Sequence, residues 1–333
     1  MKPNEGSGTL EVILVLLLLS SFISGYALYL MTSRHITAKY LKDSSSSNLF
    51  MTLGEISALL EKDKDIPDSP TDSIYTYTKE GFKVEVEELS SRINPNWIYV
   101  HVLAETPLSK LCLSAEKPLT LQQYRIDHGF SVNIAKHYND FFTKEAFEKF
   151  LTPYGYVNLN NDDEFAIEKA IIEAGGENAF AAYIHSIIRQ KRESRELINR
   201  VELEQLLTSQ RKKLADIIGI EPQWNVNHAD SFLITSLISY EPFNIKNAVT
   251  VATSIIAARE AKPITQIQLI DLTGLNPNHR LFTWLGTRSW FWSVTISSGG
   301  KTLHAILARS LSQTDKTTGF NKVIPITWEV KNQ

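Results

Sequence analysis

Residues 12–30, VILVLLLLSSFISGYALYL, run for about 19 positions without a charge, and a single carboxylate, Glu11, stands at their mouth. At roughly 1.5 Å per residue a helix of that length crosses the ~30 Å hydrocarbon core of a bilayer, so the run is a membrane-helix candidate. A secretory signal peptide needs a clear positive n-region and a small-residue cleavage site after a shorter apolar core. Here only Lys2 and the amino terminus are positive, and Ser-Arg-His-Ile-Thr-Ala-Lys follows the run. A plain one-pass anchor fits the length, but Arg34, Lys39 and Lys42 outnumber Lys2, so the flanking charges do not orient it. Neither reading accounts for Glu11. A lone carboxylate in apolar surroundings is costly unless a positive group answers it.

Beyond the run, Leu49, Leu53, Ile56 and Leu60 recur at helical spacing and make one apolar face. That helix ends before Pro67, and residues 68–72 read as a loop. Phe82, Val84 and Val86 alternate with Lys83, Glu85 and Glu87, the period of a half-buried strand. The same alternation returns near the C-terminus, with Trp290, Trp292, Val294 and Ile296 on one face and Gly299-Gly300 as a turn. A last strand puts Ile324, Ile326, Trp328 and Val330 on one face, and Pro325 marks it as an edge.

Between these strands helical signals dominate, over 144–151, 163–174, 179–192, 194–218, 247–260 and 265–272, with a strand-like piece at 97–103. Three asparagine turns echo one another there: Asn94-Pro95-Asn96, Asn158-Leu159-Asn160 and Asn244-Ile245-Lys246-Asn247. Asparagine suits such places because its side chain bonds nearby backbone groups and caps helices.

The order Gly6-Ser7-Gly8-Thr9-Leu10-Glu11, followed at once by the apolar run, resembles the class III signal of type IV pilins and type II secretion pseudopilins. The resemblance implies cleavage by a prepilin peptidase between Gly6 and Ser7, methylation of the new amino terminus, and Glu11 as the fifth mature residue, the one used in assembly. FKVEVEELSSRINPNW (82–97), GYVNLN (155–160) and the stretch 231–275 ending in LIDLTGL are similar to the large minor pseudopilin K of type II secretion, the GspK/PulK family.

That resemblance implies an α+β fold: a long N-terminal transmembrane helix on a small antiparallel, pilin-like sheet, with a large mainly helical inserted domain. The corresponding division is a leader at 1–6, a transmembrane helix at 7–31, pilin-like segments at 32–93 and 281–333, and the insert at 94–280. It implies a non-enzymatic subunit that initiates or caps a periplasmic pseudopilus and supports export across the outer membrane. The chain would sit in the bacterial inner membrane with its C-terminal part in the periplasm. Its partners would be the other minor pseudopilins, the major pseudopilin, prepilin peptidase and the inner-membrane secretion platform. Glu11 departs from the K pattern, which usually lacks that glutamate, and so keeps a minor subunit of a type IV pilus as an alternative. Lys246 and Asn247 depart from the family's Asn-Thr. A membrane-anchored periplasmic enzyme or receptor is the rival from another class.

Catalytic motifs are sparse. Ser298-Gly299-Gly300-Lys301-Thr302 ends like a phosphate loop, but Thr295 stands where the first glycine belongs and a strand follows instead of a helix. His128, His137 and His185 do not cluster, and Cys112, the single cysteine, reads as a core residue and allows no intrachain disulfide. No catalytic residue is assigned. Asp162, Asp163 and Glu164 collect hard oxygen ligands and are candidates for Ca²⁺, which occurs in pseudopilin K domains; acids opening a helix also serve its macrodipole. No other cofactor is expected. With 34 Lys+Arg against 37 Asp+Glu the chain has no global basic character, so nucleic acid is not an expected partner.

Overall fold

The computed structural model describes residues 44–62, 74–79, 81–128, 133–209, 214–314 and 319–332 of the 333. The apolar run and the residues Gly6, Ser7 and Glu11 lie outside these. Among the described residues the first element is helix α1 (Ser44–Glu61), followed by strands β1 (Ile74–Lys79) and β2 (Phe82–Glu88). Three helical units then precede the rest of the sheet. The first holds α2 (Val100–Ala104), α3 (Lys117–His128) and α4 (Ile134–Tyr138). The second runs from β3 (Val157–Asn158) through α5 (Glu164–Glu173), α6 (Asn178–Glu193) and α7 (Arg200–Leu207) to β4 (Ile218–Gly219). The third runs from β5 (Trp224–Asn225) through α8 (Ser231–Ile238), α9 (Ala248–Ala261) and α10 (Gln266–Thr273) to β6 (Leu285–Gly286). Strands β7 (Phe291–Ser298), β8 (Lys301–Thr314) and β9 (Asn321–Asn332) complete the chain.

Each unit is closed in the same way. Its two ends pair in parallel: Ile93 with Leu151 as a single bridge, β3 with β4, and β5 with β6. Parallel pairing needs a crossover of a dozen residues or more, and in each unit the helices supply it. The first and third units share one core, in which Leu103, Leu108, Tyr138 and Phe142 meet Leu233, Leu237, Ile255 and Leu269. The second keeps its own, built on Ile167, Ile171, Ile184, Ile188 and Leu203.

The sheet is antiparallel throughout, in the order β1-β2-β7-β8-β9. Leu49, Leu53, Ile56 and Leu60 of α1 are buried against Val84, Val86, Val294, Ile296, Leu303, Ala305 and Leu307, which is why the helical stripe and the alternating strands fit each other. Each of the leucine, isoleucine and valine side chains contributes about 1.5–3 kcal/mol by leaving water. Arg309, 1% exposed, closes the end of this layer: it donates to the last carbonyls of α1, Leu60 at 2.6 Å and Glu61 at 3.2 Å, and to Ser289 O at 3.1 Å. Gly299 and Gly300, both at positive φ, make the tight β7–β8 turn, so the segment that ended like a phosphate loop is a hairpin.

Several expectations need correction. The α+β class with a long N-terminal transmembrane helix on a small pilin-like sheet and a mainly helical insert is not met. Among the described residues no helix is long and apolar enough to cross a membrane, and the helix on the sheet is the 18-residue amphipathic α1 in a mixed helix-and-sheet architecture. The expected helix over 194–218 does not start at 194: Arg195 takes a positive φ and Asn199 starts α7 with a capping box. The strand-like piece at 97–103 is the short helix α2. On β9 the inward set changes: a bulge pairs Ile306 with Thr327 and Leu307 with Pro325, skipping Ile326. The alternation therefore shifts by one: Val323 lies in the core before the bulge, Val330 packs on it after, and Ile326 is exposed, while Trp328, opposite Ala305 on the face of Val330, stays exposed on this edge strand.

Candidate functional site

Every unit opens on an asparagine turn of one design. The side-chain oxygens of Asn94, Asn158 and Asn225 accept the backbone N–H two residues on, at 3.0, 2.9 and 3.0 Å. Their own carbonyls accept from the N–H four residues on, at Ile98, Asp162 and Ala229. The asparagine thus imitates a backbone turn and satisfies donors that the short strand leaves behind. The second asparagine reaches across its unit. Asn160 accepts from Ile198 N–H at 2.8 Å and donates to Ile198 O at 3.0 Å. Asn227 does the same to Ile264, at 2.8 and 3.1 Å. Ile198 and Ile264 each precede the residue that caps the unit's last helix with a capping box, Asn199 and Thr265. The asparagine amide therefore sets where that helix begins. In the first unit Asn96 accepts from the Tyr138 hydroxyl at 2.9 Å.

An arginine from a helix of each unit plugs its turn. Arg125 of α3 donates to Pro95 O at 2.7 Å and Ile98 O at 2.8 Å. Arg259 of α9 donates to Val226 O at 2.6 Å, to Ala229 O, and to Ser231 Oγ at 2.9 Å. These carbonyls stand one and four residues after the first asparagine in both turns. Arg192 of α6 bonds the corresponding Asp162 O but gives the other arm of its fork to Glu164, and its guanidinium lies 4.8 Å over the Tyr99 ring. Burial pushes the pKa of Arg125 and Arg259 down, and an arginine still keeps its charge at that cost.

The acids Asp162, Asp163 and Glu164 are adjacent in sequence and serve different partners. Asp162 accepts from Asn158 N–H at 2.6 Å, and burial pushes its carboxyl up to about 8, so it carries a proton at neutral pH. Asp163 is the N-cap of α5: its oxygen accepts from Phe165 N–H at 3.0 Å, Ala166 N–H at 3.2 Å and the Gln122 amide at 3.4 Å. Glu164 pairs with Arg192. The three acids thus engage three different protein partners. Among the described residues no group of three His, Cys, Asp or Glu side chains is placed to hold a metal. His128 stacks on Tyr124 and His185 pairs with Glu168 at 2.7 Å. Cys112 is buried, with its thiol pushed up to about 11.

No family model matches the chain. A comparison with characterised proteins finds no match either.

The third turn is not the one expected from the sequence. Asn244 and Asn247 both take left-handed backbone around the start of α9, and neither closes a strand pair. Asn225-Val226-Asn227 does. The signal was in the sequence: Asp230 stands five residues after Asn225 as Asp163 does after Asn158, and both are helix N-caps. Arg192 and Arg259 likewise follow their turns at equal distance. Each of these arginines stands one helical turn after a core isoleucine, Ile188 and Ile255.

Proposed function

We propose that the protein is a minor pseudopilin of a type II secretion system, held in the inner membrane by the apolar run 12–30 with its folded part in the periplasm, where it initiates or caps the pseudopilus. The observation that carries this reading is the order Gly6-Ser7-Gly8-Thr9-Leu10-Glu11 directly before 19 uncharged residues. A carboxylate there needs a cation, and the free amine of a trimmed neighbouring subunit is one. The helix-on-sheet layer formed by α1 and the five strands, and the three closed units between β2 and β7, suit a building block whose task is to present surfaces. The chain itself breaks no bond in this role. Its partners are the other minor pseudopilins, the major pseudopilin, prepilin peptidase and the secretion platform. Glu11 favours a second reading, a minor subunit of a type IV pilus, because pseudopilin K usually lacks that residue.

Complementation of a strain deleted for this chain tests the reading. Wild-type protein restores export, while Gly6→Leu, which blocks the peptidase, and Glu11→Leu, which removes the answering charge, do not. Full export by both variants at normal protein level would refute it. Restored pilus extension without any effect on export would select the second reading.

A further inference from the structure

Where the three units approach one another, a cleft of about 190 Å³ opens, with Tyr99 from the first unit, Arg192 from the second, and Tyr240, Phe243, Arg280 and Trp284 from the third among its walls. Arg280 is half-buried, and no hydrogen bond or ion pair engages its guanidinium among the described residues. The acids whose charge reaches Tyr99 and Tyr240 have partners of their own: Glu164 pairs with Arg192, Asp163 caps α5, and Glu105 meets His101 at 2.7 Å. Burial lowers the pKa of Arg280 and the charge of Arg192 lowers it further, so two cations face one space with no anion spent on Arg280. Burial also raises Tyr99, and raises Tyr240 to about 12, which keeps both phenols protonated as donors. Phe243 and Trp284 supply buried aromatic faces beside them.

We propose that this cleft binds a carboxylate carried on an apolar stem, the acidic side chain or chain end of a protein partner. A planar guanidinium with a free fork matches a carboxylate in two parallel hydrogen bonds, and a lysine could not do the same. The two phenol hydroxyls can donate to the same oxyanion. The aromatic walls take the stem. A space of about 190 Å³ falls short of the ~300–1,000 Å³ usual for whole small-molecule ligands, so it suits one side-chain-sized anchor. The site stands apart from the secretion reading, because the isolated protein either binds such a group or does not.

The test is ligand-observed NMR on the purified full-length chain with three probes: N-acetylphenylalanine, its neutral amide, and inorganic phosphate. The expected result is millimolar-range binding of the acid and at least about tenfold weaker binding of the amide. Arg280→Gln should weaken the acid by a similar factor and leave the melting temperature unchanged, because Arg280 makes no side-chain bond that the fold needs. Arg280→Lys, which keeps the charge and loses the fork, should fall between and serves in place of Arg280→Gln if that variant misfolds. Equal binding of acid and amide, no binding of the acid at 10 mM (about a tenth of the affinity sought), or binding untouched by either variant would overturn the proposal. So would phosphate binding as tightly as the acid, which would make the site one for free oxyanions.

Discussion

Replacing Arg259 by Met should cost on the order of 2–4 kcal/mol, more than almost any substitution on the surface of the units. Methionine keeps most of the apolar stem, so the loss is confined to the donors. Those donors serve Val226 O at 2.6 Å, Ala229 O, and Ser231 Oγ at 2.9 Å. Val226 and Ala229 are 0% and 1% exposed, so their carbonyls find no water when the guanidinium goes. A buried acceptor left unmet costs ~1–3 kcal/mol, which puts two of them at ~2–6. Against this, the variant no longer buries a charge, a relief of several kcal/mol in principle that the existing bonds already offset in part. Urea unfolding of the purified protein reads the difference: with a slope of ~2 kcal/mol/M, the midpoint falls by about 1–2 M. Arg192→Met is the internal comparison. Arg192 has a solvent-reachable side and shares its fork with Glu164, which can be rehydrated, so its loss should cost ~1–2 kcal/mol. An Arg259→Met cost below ~1 kcal/mol, or an Arg192→Met cost equal to it, would refute the view that these arginines plug buried turn carbonyls.

Asn227→Ala removes both bonds to Ile264 and should destabilise by ~2–3 kcal/mol, with a smaller loss for the half-exposed Asn160→Ala at Ile198; equal and negligible losses in urea would contradict the clamp. Asp162 gives a pH signature. Its folded pKa, about 8, lies above its ordinary value of 3.8, so the folded state holds the proton more tightly than the unfolded chain does. Stability therefore declines as pH rises from about 4 to about 8, by at most ~1.4 kcal/mol per unit, and Asp162→Asn should flatten that slope; a wild-type slope of the opposite sign from this residue would contradict its burial. Cys112, with its thiol pushed up to about 11, should react with a thiol reagent at pH 8 only on unfolding, and rapid stoichiometric labelling of the native protein would show an exposed thiolate instead.

What the sequence discloses follows from how local each signal is. The α1 stripe, the strand at Phe82 and the Gly299-Gly300 turn were legible because each rests on a few neighbouring residues and a single period. Helix α8 was not, since Leu233, Ile234, Ser236, Leu237 and Ile238 are all buried and no polar face remains to mark a helical period. The inward face of β9 was misread because a bulge at Ile326 changes the phase of an otherwise regular alternation, and nothing in the local sequence announces it. At the candidate site two of the three asparagine turns were visible as triplets. The arginines that plug them were not, because Arg125, Arg192 and Arg259 act at long range on carbonyls, a group every residue carries. The acids at 162–164 were visible as a cluster, but their separation into a neutral carboxyl, a cap and an ion pair depends on burial that only the fold sets.

The proposed pseudopilus role depends first on whether the chain is trimmed after Gly6, and the mature N-terminus, read by mass spectrometry with and without prepilin peptidase, measures that directly. The account predicts a peptide beginning at N-methylated Ser7 that disappears when the peptidase is absent. An intact Met1, or a cut beyond Leu30, would contradict it.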